Sequence, residues 1–193
     1  MVRLHQGLAS HLVFAGGGWI WNGLAPNYSR ATDTTRKAMH VLHEKGLRQA
    51  FCTLWGDNGS ETPQTAGLYS AVLFSEFGFH EEVDDALLNS RLLFHTGVSL
   101  ADWMLLDRLD AVPGTAPDNR RAANPSKMLF YQDPLLGLFD AQTQHLDLEQ
   151  WYRRLTEDLE QALPRIPVRF RSLFLYYYQS PPCCPGRPRW DRN

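Results

Sequence analysis

The chain has few cysteines, no concentration of positive charge and no long apolar run. Of its three cysteines, Cys52 lies in an apolar stretch and Cys183 and Cys184 are adjacent in a Pro-rich tail. That spacing suits neither a zinc site nor a disulfide framework, so no metal or cofactor is expected and a reducing compartment, the cytoplasm, fits. The formal net charge is -2, and Lys and Arg do not cluster before the last segment. A surface that neutralises phosphates needs such a cluster, so nucleic acid is not an expected partner. The opening Met1-Val2-Arg3-Leu4-His5-Gln6 lacks the apolar core of a signal peptide. No segment reaches the roughly 18 uninterrupted apolar residues of a membrane span, so no membrane partner is expected.

What the chain does contain is ordinary globular composition, with 44% hydrophobic and 21% charged residues. Leu12-Val13-Phe14-Ala15 leads through Gly16, Gly17 and Gly18 into Trp19-Ile20-Trp21, the pattern of a buried strand closely approached by a neighbour. From Ser29 to Lys45 the periodicity turns helical, with Ala38, Val41 and Leu42 on one face and Gly46 just past the end. Ala50-Phe51-Cys52-Thr53-Leu54 reads as a second strand, and Thr62-Pro63 as the cap and first turn of another helix. Two strands joined by a helix run parallel, and a parallel sheet needs both faces covered. Two strands and two helices cannot cover both, so further strands are expected upstream.

After Phe79 helices take over. The expectations are a helix from Glu82 to Thr96 closed by Gly97 and one from Ser99 to Asp110 opened by a Ser99…Asp102 cap. A polar loop follows from Pro113 to Ala123. Asn124-Pro125 opens a third helix running to about Asp140, and Asp147 a fourth, on which Trp151, Leu155 and Leu159 recur every four residues. The stretch from Ser180 to Arg189 is too rich in Pro for a helix or a central strand.

In parallel β/α architectures the loops after the strands' carboxyl ends build the site, which singles out Trp21 and Trp55 with Asp57. An indole covers the apolar face of a pyranose while a carboxylate accepts hydrogen bonds from its hydroxyls, so Trp55-x-Asp57 suits a sugar. Trp19 and Trp21 alternate along the expected strand and should share a face, where barrel packing competes with pocket lining. Asn27 and Tyr28 can hydrogen-bond a substrate from the loop, although Asn after Pro is also an ordinary turn residue and Tyr before a helix packs locally. Glu61, His80-Glu81-Glu82 and Asp84-Asp85 read as acidic residues favoured at helix starts, not as an acid pair or a metal cluster. The triple glycine lacks the Lys-Ser/Thr of a phosphate loop.

The segments from Phe14 to Tyr28 and from Thr53 to Gly59 resemble glycoside hydrolase family 20, specifically bacterial β-N-acetylhexosaminidases with a helical carboxy-terminal domain. The likeness runs from about His5 to Gln161 and includes Asn124-Pro125-Ser126-Lys127 and the stretch from Tyr131 to Asp140. It implies an α/β fold class: the last two β/α units of a TIM (β/α)8 barrel over residues 1–79 and an α-helical domain over 80–163. Residues 164–193 are then a partly helical, later irregular tail. It implies that Trp55-Gly56-Asp57 is the family's Trp-x-Glu motif with Asp for the commoner Glu, Trp55 walling the pocket and Asp57 binding outer hydroxyls. The family's mechanism is substrate-assisted, with an Asp-Glu pair on the fourth strand orienting the acetamido group and protonating the leaving oxygen. No Asp-Glu dipeptide occurs in the chain. It therefore carries no catalytic residue of its own and is expected to be inactive alone. The implied partner is an amino-sugar glycan or glycoside, with a homodimer allowed. A non-catalytic binding module and a truncated reading frame without independent function are the competing readings.

Overall fold

The computed structural model describes residues 2–9, 11–56, 61–116, 118, 124–131, 135, 137 and 140–179. A short helix α1 (Val2–Gln6) precedes strand β1 (Phe14–Gly17), helix α2 (Tyr28–Glu44) and strand β2 (Ala50–Thr53). A 3-10 turn (Gln64–Gly67) runs into α3 (Leu68–Glu76), followed by α4 (Asp85–Thr96) and α5 (Leu100–Asp107). Helices α6 (Pro125–Tyr131), α7 (Asp140–Thr143) and α8 (Leu148–Ala162), a second 3-10 turn (Leu163–Arg165) and α9 (Val168–Gln179) complete the described elements. The structure is mixed, with a small sheet and a helical second half.

The two strands pair in parallel, Phe14 opposite Ala50 and Gly17 opposite Thr53, as a helical crossover requires. β1 is shorter than the sequence pattern suggests. Trp19 has a φ of 51°, a left-handed conformation that ends the extended chain before Trp21. Trp19 and Trp21 therefore do not alternate along a strand; they stack on each other with ring centroids 4.8 Å apart.

The sheet has one covered and one open face. Phe74 of α3 stacks on Phe14 at 6.4 Å, and its ring occupies the space a Cβ at Gly16 would need. The close approach expected at the glycines is thus met by an aromatic ring. On the opposite face Ala15 is exposed, and Val13 and Phe51 are 54% and 52% exposed. The expectation of a buried strand is corrected on this side, because helices pack on only one face.

Helix boundaries follow local chemistry. Asn27 caps α2 by accepting the Arg30 N–H at 2.9 Å, and its buried stripe is Tyr28, Ala31, Thr35, Met39 and Leu42. Ala38 and Val41, expected on the inner face, lie only at its margin. α4 starts three residues later than expected because Asp84 accepts the Leu87 N–H at 2.8 Å and so becomes the cap. Gly46 and Gly97 stand just past helix ends with φ of 66° and 72°, conformations that glycine adopts without a Cβ penalty. Ser99 and Asp102 exchange cap hydrogen bonds, the Asp102 N–H donating to Ser99 Oγ at 3.1 Å and Ser99 Oγ to Asp102 Oδ2 at 2.7 Å. Asp147 caps α8 through the Gln150 N–H at 2.8 Å, and Tyr152, Leu155, Leu159 and Ala162 form its buried stripe.

Three local expectations change. Thr62 does not cap a helix; its hydroxyl donates to the Gly23 carbonyl at 2.8 Å. The helix after Asn124 ends at Tyr131, and α7 is a separate turn. Among the described residues six α-helices follow Phe79, where four and a partly helical end were expected.

One hydrophobic cluster runs from Ile20 to Tyr177 and joins both halves of the chain. At its centre Trp103, fully buried, meets Tyr28 edge-on at 6.0 Å, Phe170 at 5.8 Å and Phe174 at 6.0 Å. An aromatic cluster of this kind combines large apolar burial with favourable edge-to-face geometry. No described helix is long and apolar enough to cross a membrane.

Candidate functional site

Because β1 and β2 are parallel and in register, their carboxyl ends open on the same edge, and the following segments lie side by side. Leu54 is drawn toward the helices, its methyls reaching to 2.5 Å and 2.7 Å of where a Cβ would stand on Gly18 and Gly67. Trp55, the next residue, is left 53% exposed at that edge. Trp21 is half-buried, its ring covering Gly17 in the space a side chain there would fill. Gly17 shares its face with the exposed Ala15, so Trp21 sits over the open side of the sheet. Arg30 lies over the far end of this aromatic pair, its guanidinium carbon 4.2 Å from the Trp19 centroid.

The other sequence-singled residues part company here. Asp57 lies outside the described residues. Asn27 and Tyr28 are inside the core, not on the edge. Asn27 serves as a cap, and Tyr28 donates its hydroxyl to the Ala66 carbonyl at 2.8 Å. Burial pushes the Tyr28 phenol well above its ordinary range, so it stays a neutral donor.

Several residues that sequence reasoning passed over or read otherwise hold the edge together. Thr62 ties the loop after β2 to the loop after β1 through the Gly23 carbonyl. Asn124 donates its side-chain amide to the Asn22 carbonyl at 2.8 Å. Lys127 donates to Glu61 Oε1 at 2.7 Å, and the Tyr176 hydroxyl donates to the Glu61 carbonyl at 3.0 Å. Glu61 is therefore a structural tie between this loop and helices α6 and α9. The only sequence sign of these contacts was the Asn124-Pro125-Ser126-Lys127 segment, whose residues are far from the edge along the chain.

Among the described residues no group of three or more His, Cys, Asp or Glu converges as a metal site. In the acidic run after Phe79, Asp84 caps α4, and Asp85 and the nearby Glu76 have cationic neighbours. His80 Nε2 and Arg91 Nε lie 3.5 Å and 3.2 Å from Glu76, and Arg36 pairs with Asp85 at 2.6 Å.

The family model described as the Glycoside Hydrolase 20C C-terminal domain matches residues 101–180. This stretch is similar to the carboxy-terminal part of family 20 glycoside hydrolases. The matched stretch begins inside α5 and runs through α9. It supplies Asn124, Lys127 and Tyr176, whereas Trp21, Trp55 and Asp57 precede it. A helical second half is what this domain leads one to expect. No curated protein matches the chain.

Proposed function

We propose that the chain provides the last two β/α units (residues 1–79) and the helical carboxy-terminal domain, from residue 80 through α9, of a (β/α)8 β-N-acetylhexosaminidase. The observation carrying this reading is the open face of the sheet. Val13, Ala15 and Phe51 are apolar yet exposed, the sheet has two strands among the described residues, which leaves an outer edge on each, and the covered face has its helices in place. In a closed barrel the inward side chains pack against those of other strands and no edge remains. The likeness of residues 101–180 to the family 20 C-terminal domain supports sugar cleavage as the reaction class.

In the completed enzyme, Trp55 and Trp21 present aromatic surface at the barrel's carboxyl mouth, where the apolar face of an N-acetylglucosamine or N-acetylgalactosamine unit stacks. Asp57 accepts hydrogen bonds from the outer hydroxyls. The substrate's acetamido oxygen attacks the anomeric carbon, and an Asp-Glu pair on an upstream strand orients that group and protonates the leaving oxygen. The chain alone supplies neither acid nor orienting carboxylate and is inactive by itself. The substrate is an amino-sugar glycan or glycoside.

The test is to fuse the chain to the first six β/α units of a family 20 barrel and assay an aryl N-acetyl-β-glucosaminide. The expected result is hydrolysis that Trp55→Ala and Asp57→Ala each lower by about tenfold or more in kcat/KM. Activity only on another class of glycoside, or unchanged kinetics in both variants, defeats the reading.

A further inference from the structure

We infer that the family 20 domain is a brace for the site edge, with Asn124 and Lys127 acting as positioning residues for the loops that carry Trp21 and Trp55. The role assigned to those loops rests on the function proposed above; the brace itself rests on geometry alone.

Three contacts cross from the domain to the two loops. Asn124 holds the Asn22 carbonyl at 2.8 Å, immediately after Trp21. Lys127, two positions into α6 from Pro125, holds the Glu61 carboxylate at 2.7 Å with side chains 25% and 20% exposed. Tyr176 of α9 holds the Glu61 carbonyl at 3.0 Å. A fourth contact, Thr62 to Gly23 at 2.8 Å, laces the loops to each other. Gly23 approaches the domain so closely that a Cβ there would stand 2.9 Å from Asn124 Cβ.

The brace is anchored behind. The Ser126 N–H donates to Asp110 Oδ1 at 2.9 Å, and Asp110 and Ser126 are both buried. Asp107, one turn earlier, accepts from Ser29 Oγ at 2.6 Å and from the Ser29 N–H at 3.3 Å, which fixes the start of α2. The loop after β1 is thus held at both ends, by Asn27 and Ser29 on one side and Asn124 on the other. The loop after β1 also buries Ile20, Leu24 and Ala25 in the core, and the directed hydrogen bonds add a defined shape to its backbone.

Charge-assisted contacts of this burial are the strong ones, and removing one partner strands the other. The experiment is hydrogen exchange on the 193-residue chain with Asn124→Ala, Lys127→Met and the charge swap Glu61→Lys/Lys127→Glu. The expected result is exchange raised about tenfold at residues 19–27 and 61–66 in the two single variants, with α4 and α8 unchanged. The swap returns exchange to within about twofold of the parent, a rescue that loss of packing alone does not give. Unchanged exchange in those loops, or equal acceleration throughout the chain, overturns the brace. The same kcat/KM assay on the fusion separates the two ideas. Faster loop exchange in an enzyme that ignores N-acetylglucosaminides leaves the brace standing and removes the sugar reading, while unchanged loops in an active enzyme do the reverse.

Discussion

The Asp110 carboxylate accepts the Ser126 N–H at 2.9 Å from a position only 1% exposed to solvent. Burial dominates its electrostatics and pushes its pKa up from 3.8 to about 7, with the Ser126 hydrogen bonds opposing that shift and neighbouring Asp107 adding to it. The folded chain therefore holds this proton more tightly than the unfolded chain. Its contribution to stability is complete below pH 3.8 and is lost as pH rises toward about 7. Asp110→Asn keeps an acceptor for Ser126 but cannot titrate. The difference in thermal midpoint between parent and variant should move in the variant's favour across that window. A difference independent of pH would show that Asp110 does not titrate there.

Trp103 is the most consequential core residue, because its ring contacts helices drawn from both halves of the chain. Trp103→Ala should cost about 3–5 kcal/mol, the range for deleting a large buried aromatic side chain. Urea denaturation with an unchanged slope reads this as a lower midpoint. A loss under about 1 kcal/mol would mean the surrounding rings collapse into the space.

Gly16 leaves room for the Phe74 ring. Gly16→Val should destabilise by about 1–3 kcal/mol through overpacking, and adding Phe74→Leu should recover part of it. Additive losses in the double variant would place the conflict elsewhere.

The open sheet predicts self-association of the isolated chain, since exposed edges and apolar surface invite pairing. Sedimentation should show concentration-dependent association that Val13→Lys with Phe51→Lys reduces, because charge on a strand face opposes stacking. A parent chain monomeric at all concentrations contradicts this.

Much of the local structure was legible because its determinants are neighbours in sequence. Asp147, Gly46, Gly97 and the Ser99…Asp102 pair act within one helical turn, so residue type alone announces them. Where nearby residues compete, the pattern misleads. Asp84 rather than the Glu81-Glu82 pair opens α4, and Thr62 spends its hydroxyl on Gly23 instead of on a helix end. Trp19 broke the expected strand through a left-handed turn that no alternation pattern signals.

By itself, then, the sequence determined the order of the two strands and the helix between them, their parallel pairing and a mostly helical second half, since these follow from periodicity, crossover geometry and turn residues. The tertiary structure alone decided which sheet face stays open, that Asn27 and Tyr28 belong to the core, and that Asn124, Lys127 and Tyr176 reach back to the site edge. Those outcomes depend on contacts between residues up to 115 positions apart. Spacing along a chain carries no distance information at that range; only the packing of the whole core supplies it.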